Sequence, residues 1–168
     1  MHTFQPYPFD VIELNPFSKF GEEWAALTSE FKDKINAMTI SWGTVGELWG
    51  KHVACVFVRE SRYTKELMDS GEYFSITFFE PHYKNWLKYL GAVSGRQEDK
   101  ISGARLTINR HKNVPFIDDG SFVIVCKKLS CTLIGPDDIL DTSILDANYQ
   151  DGDYHYMFVG EILELLAR

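Results

Sequence analysis

A run of basic and hydroxyl side chains, Arg59-Glu-Ser-Arg-Tyr-Thr64, lies between an apolar strand-like stretch and a short helical one. The N-terminus of a helix presents free backbone N–H groups and the positive end of the helix dipole. The guanidinium groups of Arg59 and Arg62, with the hydroxyls of Ser61 and Thr64, would add donors for a phosphate dianion. The alternative is that Ser61 only caps the helix while both arginines are solvated. Spacing alone does not decide between the two.

A second run, Asn36-Ala-Met-Thr-Ile-Ser-Trp42, places amide and hydroxyl side chains inside an otherwise strand-like stretch. It precedes a glycine-punctuated segment, Gly43-Thr-Val-Gly-Glu-Leu-Trp-Gly50, which the pattern predicts as a loop. Such a strand could present donors and acceptors to the polar edge of a planar ligand while Trp42 covers the ligand's face. Alternatively, Trp42 and Trp49 are anchors of the core or of an interface.

Two further segments carry groups that could assist such sites. The polar loop Gly91-Ala-Val-Ser-Gly-Arg-Gln-Glu-Asp-Lys100 offers Ser94, Arg96 and Lys100 as donors to an anion. The same loop could instead be exposed, with its acidic residues pairing locally with those cations. His155 lies just before the last strand-like stretch, where a lone histidine is either catalytic or, more commonly, structural or exposed.

Several well-defined motifs do not occur in the chain. There is no GxGxxG, GxxxxGK[ST], HExxH or GxSxG pattern, so dinucleotide-binding, P-loop, zincin and serine-hydrolase sites are not indicated. The five histidines show no ligand spacing, which gives no indication of a metal site. The sequence also gives no basis for a paired nucleophile and base.

The three cysteines, Cys55, Cys126 and Cys131, form no CxxC pair and are too few for a four-thiolate iron–sulfur or zinc site. If Cys126 and Cys131 share one strand, their odd spacing places them on opposite faces, so they cannot pair with each other. We expect reduced, partly buried thiols, with a reactive thiol as the alternative.

Apolar patterns predict six strands joined by turns and short helices. The predicted strands cover residues 24–29, 35–42, 52–58, 73–79, 122–133 and 156–165, with a charged turn at 31–34. Helices are predicted over 64–70 and 82–90, the second with Trp86, Leu87 and Leu90 on its inner face. Because these helices are too short and too few for repeated βαβ crossovers, the pattern favours a mainly β barrel or sandwich with a few short helices.

Length and composition indicate a single globular domain over residues 1–168. The chain has 12 Phe, 8 Tyr and 4 Trp, which fits a β-rich fold or a site that stacks on a planar ligand. A net charge of −7 argues against general binding of nucleic acid. The chain shows neither a secretory leader nor an apolar run of about 20 residues. We therefore expect a soluble, cytoplasmic protein that does not bind membranes.

Together these segments resemble the flavin reductase-like family of FMN-binding split barrels, in particular its flavoredoxin-like branch. The resemblance covers roughly residues 15 to 165, and it is specific because the matching motifs follow one another in the family's order. The motifs are Asn36-Ala-Met-Thr-Ile-Ser-Trp-Gly43 with Leu48-Trp-Gly50, Ser61-Arg-Tyr-Thr64, Tyr73-Phe-Ser-Ile-Thr-Phe78, Ser94-Gly-Arg96 with Asp99-Lys100, and Asp153-Tyr-His155 before Phe158-Val-Gly-Glu-Ile162. Glu60 stands where the family commonly has proline, a change that removes no donor.

The resemblance implies a Greek-key split barrel, usually a homodimer, that holds FMN non-covalently near the subunit interface. It implies that the 36–42 strand lines the flavin ring, that the 61–64 run and Lys100 contact the phosphate side, and that the last strand approaches the ring. The cofactor-binding residues so implied are Asn36, Ala37, Met38, Thr39, Ser41, Trp42, Arg59, Ser61, Arg62, Tyr63, Thr64, Ser94, Gly95, Arg96, Lys100, His155 and Phe158.

The implied function is that of an FMN-binding oxidoreductase, NAD(P)H-dependent and flavin reductase-like, in which a hydride passes through flavin N5 without an obligatory side-chain acid or base. A second interpretation is an electron carrier that holds FMN and exchanges electrons with a protein partner. A third is a barrel that no longer binds flavin, against which the presence of both phosphate-side and ring-side motifs argues. The sequence does not distinguish the first two interpretations, nor NADH from NADPH.

Overall fold

The computed structural model describes residues 1–168, which form ten strands and five short α-helices. The strands are β1 (Gln5–Pro6), β2 (Ala25–Phe31), β3 (Lys34–Ile40), β4 (Gly43–Leu48), β5 (Lys51–Arg59), β6 (Tyr73–Phe78), β7 (Ile108–His111), β8 (Val114–Ile117), β9 (Phe122–Ile134) and β10 (His155–Ala167). The helices are α1 (Pro16–Ser18), α2 (Tyr63–Ser70), α3 (Lys84–Ala92), α4 (Lys100–Gly103) and α5 (Thr142–Asn148). None of them has the length and apolar character needed to span a bilayer. All six predicted strands and both predicted helices are confirmed.

The main sheet is antiparallel throughout, with the strand order β3-β2-β6-β9-β10-β5-β4 and the short β1 added to β10. Strands β7 and β8 form a separate hairpin. β3 and β4 lie at opposite ends of the order, although only Ser41 and Trp42 separate them in the chain. The sheet therefore has to curl until its two edges approach each other.

The main hydrophobic core shows that the sheet curls in this way. Met38 and Ile40 from β3 share one buried cluster with Val56 and Val58 from β5, near the other end of the strand order. Side chains alternate between the two faces of a strand, so these residues mark the inner face of a barrel. The mainly β barrel expected from the sequence is confirmed.

A second core lies outside the barrel, where α3 and α4 pack against β2 and β3. Leu87 and Leu90 are buried in this core, together with Ala37 from β3. Trp86, predicted on the same inner face, is 37% exposed and lies on the side of α3 that faces solvent. The two faces of β3 therefore serve different cores, one inside the barrel and one beneath the helices.

Three hairpins turn through two residues that both have positive φ, a geometry that matches the twist of the flanking strands. The turn residues are Lys32 and Asp33, Trp49 and Gly50, and Lys112 and Asn113. The prediction of a loop over 43–50 was wrong, because residues 43–48 form β4 and pair with β5. The β7–β8 hairpin was not predicted, since its turn lacks the Asn-Gly or Asp-Gly signal that usually identifies one.

All three cysteines are free thiols. Cys126 is fully buried and Cys131, on the same strand, is exposed. The expectation that they lie on opposite faces was wrong, because a one-residue register shift between them places Cys126 opposite Ile162 and Cys131 opposite Phe158, on the same face of the sheet. Burial raises the pKa of the Cys126 thiol far above its ordinary value. Cys126 is therefore an unreactive core residue, as most buried cysteines are.

Candidate functional site

Two cavities lie side by side where β3, α2, α3 and the loop after α3 meet. The larger, which we call the tryptophan cavity, has a volume of about 300 Å³ and is lined by Trp24, Met38, Thr39, Ile40, Ser41, Trp42, Phe57, Arg59, Arg62, Gly91 and His155. The smaller, which we call the lysine cavity, has a volume of about 120 Å³ and is lined by Asn36, Ser61, Arg62, Tyr63, Thr64, Ala92, Val93, Ser94, Gly95 and Lys100. Arg62 lines both cavities, so the two are adjoining parts of one site.

Lys100 is the buried cation of the lysine cavity, with 2% of the residue exposed. Its Nζ donates to the carbonyl oxygens of Leu90 at 2.9 Å and Val93 at 3.1 Å. An ammonium group has three N–H donors, so one donor remains for a ligand. Burial, together with the nearby Arg62, lowers the pKa of Lys100 to about 8. At neutral pH the cavity therefore contains a positive charge with incomplete hydrogen bonding.

The N-terminus of α2 opens onto the same cavity. Arg62 is the N-cap of this helix, and its side chain does not cap it. The N–H groups of Tyr63 and Thr64, in the first turn, therefore have no acceptor within the helix. The Thr64 hydroxyl is buried and accepts a hydrogen bond from Asn36 Nδ2 at 2.9 Å, which leaves its own proton to donate. These donors suit an anion with several oxygens, such as a phosphate.

Gly95 makes the close approach that shapes the lysine cavity. A Cβ atom at this position would lie 2.1 Å from Asn36 Oδ1 and 3.0 Å from Tyr63 Cδ1. Only glycine allows the 91–99 loop to pass this close to β3 and α2. The chain therefore provides a small compartment of fixed size whose donors come from Lys100, Arg62 and the start of α2.

Arg59 and Ser61, predicted as phosphate donors, have other partners in the structure. Arg59 donates from Nη1 to the carbonyl of Asp153 at 2.7 Å and from Nη2 to the carbonyl of Asn148 at 3.0 Å. Ser61 donates from its backbone N at 3.1 Å and from Oγ at 2.6 Å to the carboxylate of Asp153. Both residues hold the 148–153 loop against β5, and Arg59 does not line the lysine cavity.

Arg96, also predicted as an anion donor, lies outside the cavity. Its guanidinium pairs with Glu66 and donates from Nη1 to the carbonyl of Ser61 at 3.0 Å. The same group lies 5.4 Å from the centre of the Tyr63 ring. Arg96 therefore fastens the 91–99 loop to α2. Its acidic partner is a residue of α2 and not one of the loop's own acidic residues, so the local pairing considered as the alternative is not observed.

The tryptophan cavity is lined mainly by uncharged side chains and is open at one side. Trp42 is 45% exposed at its mouth, and its ring lies 4.9 Å from the ring of His155. Trp24, the residue before β2, is held by Lys84, whose Nζ lies 3.4 Å from the centre of the indole ring. The Thr39 hydroxyl already donates to the carbonyl of Leu87. Aromatic faces and backbone groups therefore dominate the surface offered to a ligand.

His155 is the most buried titratable group of the tryptophan cavity, with 7% of the residue exposed. As the first residue of β10 it lies opposite Arg59 of β5. Its Nδ1 is 2.7 Å from the hydroxyl of Tyr149, a residue that the sequence reasoning did not identify. Burial, and then the charge of Arg59, lower the pKa of His155 to about 4. The imidazole is therefore neutral at physiological pH.

The structure brings most of the predicted residues to these cavities and leaves three of them out. Ala37 is buried beneath α3, and Phe158 is fully buried in the barrel core with Val56, Val58 and Phe74, while Arg96 lies at the outer rim. Phe158 follows His155 by three positions, so the two side chains are on opposite faces of β10. The cavity-lining residues that sequence reasoning missed are Trp24, Ile40, Phe57, Gly91, Ala92 and Val93.

No three His, Cys, Asp or Glu side chains come together in an arrangement that could hold a metal ion. The chemistry available at the site therefore consists of hydrogen bonding, one buried ammonium, the guanidinium of Arg62 and aromatic stacking. Such a set of groups suits a ligand that has an anionic end and a planar end.

Comparison with known proteins agrees with this description. The family model of the flavin reductase like domain matches residues 17–168. Flavoredoxin from Methanosarcina acetivorans is 22% identical, with a TM-score of 0.69 over 87% of this chain and 68% of that one. An FMN-binding protein from Thermus thermophilus, solved with p-hydroxybenzaldehyde bound, is 20% identical, with a TM-score of 0.69 over 98% and 82%. The NADH:FAD oxidoreductase of Streptomyces globisporus is 14% identical, with a TM-score of 0.65 over 87% and 75%. No curated protein is significantly similar in sequence.

Proposed function

This chain belongs to the flavin reductase-like domain family, and we propose that it is an oxidoreductase that binds FMN non-covalently and takes electrons from NAD(P)H. The observation that carries the proposal is the pair of adjoining cavities that meet at Arg62. One is small and cationic, and the other is larger, aromatic and open to solvent. FMN has the matching pair of ends, a phosphate dianion and a planar ring.

The lysine cavity would hold the phosphate. Lys100 Nζ, the hydroxyl of Thr64 and the free N–H groups at the start of α2 provide donors of three kinds. Hydrogen bonds of this kind to a charged group are shorter and roughly twice as strong as those between neutral groups. Because Gly95 fixes the size of the compartment, the donors are already in place before a ligand arrives.

The tryptophan cavity would hold the flavin ring. Met38, Ser41 and Trp42 lie along one side of this cavity, and His155 lies beneath Trp42. A bound flavin supplies the redox chemistry itself by accepting a hydride at N5. The chain's contribution is to orient the ring, to leave one face open to the reductant and to place neutral donors near the ring edge.

The test is the visible spectrum of the purified protein under anaerobic conditions. We expect yellow protein whose flavin absorption disappears within seconds of adding NADH or NADPH, because the open mouth at Trp42 admits the reductant. Free FMN at the same concentration, without protein, is the control for direct reduction in solution. Protein that cannot retain FMN, even when FMN is added in excess, would contradict the proposal.

An electron carrier is the second candidate, and one observation favours it. The half-exposed Trp42 lies at the mouth of the ring cavity on a chain whose net charge is −7. An exposed redox group on an acidic protein suits docking to a basic redox partner. If the flavin is reduced by dithionite or by a reduced protein but not by NADH or NADPH, the carrier is the correct interpretation.

We also propose that the protein is a homodimer. Phe17 is 86% exposed beside an apolar recess of about 490 Å³ that shares Trp42 and Phe57 with the tryptophan cavity. Exposed aromatic side chains around such a recess are typical of a surface that a partner covers. The mass measured by light scattering during size-exclusion chromatography distinguishes a dimer from a monomer.

The affinity for FMN is expected to fall as the pH rises through about 8, the pKa of Lys100. Below that pH the ammonium is charged and attracts the phosphate dianion, and above it the neutral amine loses this attraction. Lys100→Met should weaken binding at pH 7 by roughly 10- to 100-fold, since a hydrogen bond to a charged group contributes about 1.5–3 kcal/mol. The variant should also lose the pH dependence. Fluorescence titration of FMN between pH 6.5 and 9.5 measures both effects.

Two controls make the Lys100 result specific. Lys88→Met removes a cation from the exposed side of α3 that lines neither cavity, so its FMN affinity should match that of the unaltered protein. Riboflavin, which lacks the phosphate, should bind the Lys100→Met variant as it binds the unaltered protein. Equal losses of riboflavin and FMN affinity would show that Lys100 supports the fold of the site and not the phosphate.

A further inference from the structure

The contact between Tyr149 and His155 is the one buried polar contact in the site that the proposed function leaves unexplained. The Tyr149 hydroxyl and His155 Nδ1 are 2.7 Å apart, and both residues are more than nine-tenths buried. Their rings meet edge to face with centres 5.6 Å apart. A buried hydrogen bond between two side chains fixes which atoms carry the protons, because neither partner can exchange it for water.

The direction of this hydrogen bond follows from the available partners. The Tyr149 hydroxyl has His155 as its only side-chain or backbone partner in the structure. If Nδ1 carried the proton and donated it, the hydroxyl proton of Tyr149 would be left in the protein interior without an acceptor. If Tyr149 donates instead, both atoms are satisfied. His155 is then the tautomer with its proton on Nε2.

The second nitrogen of His155 has no partner within the protein. Nε2 makes no hydrogen bond to any side chain or backbone group. The one side-chain N or O atom that is both fully buried and without a hydrogen-bond partner is Oγ1 of Thr28, so the unpartnered Nε2 is not fully buried. The cavity that His155 lines is the tryptophan cavity, so we take Nε2 to be accessible from that cavity. An N–H group presented there can donate one hydrogen bond to a ligand.

Tyr149 is itself held in place by two neighbouring side chains, Arg59 and Tyr154. The Arg59 guanidinium lies 5.3 Å from the centre of its ring, and the Tyr154 ring stacks on it with centres 5.0 Å apart. Arg59 also binds the carbonyl oxygens of Asn148 and Asp153, on either side of Tyr149 in the loop. Arg59, predicted as a phosphate ligand, thus fixes the residue that orients His155.

We propose that Tyr149 is a positioning residue, which holds His155 in its Nε2–H tautomer so that this N–H donates to an acceptor atom at the edge of the ring bound in the tryptophan cavity. The proposal rests on the proposed function for the identity of that ring. The acceptor would be a ring nitrogen or carbonyl oxygen, and its hydrogen bond would strengthen as the ring gains electrons. Tyr149 would thereby favour the reduced over the oxidised cofactor without touching it.

The charges around His155 favour a neutral donor. Arg59 faces it across the β5–β10 pair and opposes a second positive charge, while Asp153 acts weakly in the opposite direction. Tyr149, Asp151 and Tyr154 are the other titratable groups of this loop. Burial raises the pKa of Tyr149, so it stays protonated. The imidazole therefore acts as a fixed hydrogen-bond donor.

The direct test is the tautomer of His155 in protein labelled with ¹⁵N-histidine. A nitrogen that carries a proton and one that accepts a hydrogen bond have different ¹⁵N shifts, which two-dimensional NMR of the flavin-free protein resolves. We expect Nε2 protonated and Nδ1 unprotonated in the unaltered protein, and a mixture of both forms in Tyr149→Phe. The matched control is Tyr154→Phe, which removes a neighbouring phenol hydroxyl and should leave the tautomer unchanged.

The second readout is the reduction potential of the bound flavin. Tyr149→Phe should lower that potential relative to the Tyr154→Phe control, with FMN retention little changed because the lysine cavity is intact. A protonated Nδ1 in the unaltered protein, or an unchanged tautomer in Tyr149→Phe, would overturn the proposal. The tautomer is measured without FMN, so a failure to bind flavin would contradict the proposed function and leave the Tyr149 test standing.

Discussion

The Arg62→Ala Thr64→Ala double variant should lose most of its affinity for FMN while it keeps a measurable affinity for riboflavin. Arg62 lines both cavities, and the buried Thr64 hydroxyl faces the smaller one. Each substitution removes a donor that a phosphate dianion would accept. At about 1.5–3 kcal/mol for each hydrogen bond to a charged group, the double variant should bind FMN roughly 10²- to 10⁴-fold more weakly.

The comparison of FMN with riboflavin separates phosphate binding from general damage. Thr64→Ala leaves the buried Asn36 amide without its partner, a loss that costs about 1–3 kcal/mol of stability. The folded fraction of the double variant must therefore be measured by circular dichroism. Because riboflavin has no phosphate, the ratio of the FMN to the riboflavin dissociation constant reports on the phosphate contact alone. An unchanged ratio in folded protein would contradict a phosphate site at α2.

A matched control variant is available in β9, away from both cavities. Lys127→Ala Thr132→Ala also removes one cation and one hydroxyl, from residues of β9 that line neither cavity. Its FMN affinity should equal that of the unaltered protein. Thr64→Ser, which keeps the hydroxyl, should retain most of the affinity that Thr64→Ala loses.

Phe158→Ala should destabilise the protein by about 3–5 kcal/mol, the range for removing a large aromatic side chain from a packed core. Phe158 is fully buried in the barrel core and is paired with Val56 and Cys131 in the neighbouring strands. The truncated side chain would leave a cavity that the surrounding strands cannot close. Urea denaturation followed by circular dichroism measures the loss as a shift of the unfolding midpoint.

The same variant decides between two roles for Phe158. As a core residue it should change stability and leave the FMN to riboflavin affinity ratio of the folded molecules unaltered. Leu140→Ala, which truncates an apolar side chain that is 94% exposed, should stay within about 0.5 kcal/mol of the unaltered stability. Full stability together with loss of flavin binding in Phe158→Ala would indicate that Phe158 contacts the flavin ring and is not only a core residue.

The fold could be predicted largely because its strands are marked by continuous apolar runs. β9 and β10, the longest strands, were found with their ends within three residues of those in the structure. β4 was missed because Gly43 and Gly46 interrupt its apolar pattern. Its pairing with β5 depends on the two-residue turn at Trp49 and Gly50, whose positive φ angles no periodicity reveals.

The segments that form the candidate site could be predicted from the sequence, but the hydrogen-bond partners of their side chains could not. The 36–42 and 61–64 runs identified the strand and the helix start that form the two cavities, because hydroxyl and amide groups inside apolar stretches are unusual. The sequence could not show that Asp153 would occupy the donors of Ser61, since the two lie far apart in the chain. Tyr149 gave no signal either, because a loop tyrosine becomes informative only when its partner is known.

The position of Arg62 between the two cavities has a consequence for how the two halves of a ligand would cooperate. A molecule whose two ends are covalently joined loses its freedom of translation once and then meets the second compartment at a high effective concentration. Riboflavin and inorganic phosphate supplied separately would each lose their translational freedom on binding. Arg62, which lies between the compartments and donates to the Gly91 carbonyl, would therefore help the proposed site to prefer the intact mononucleotide over its two separate parts.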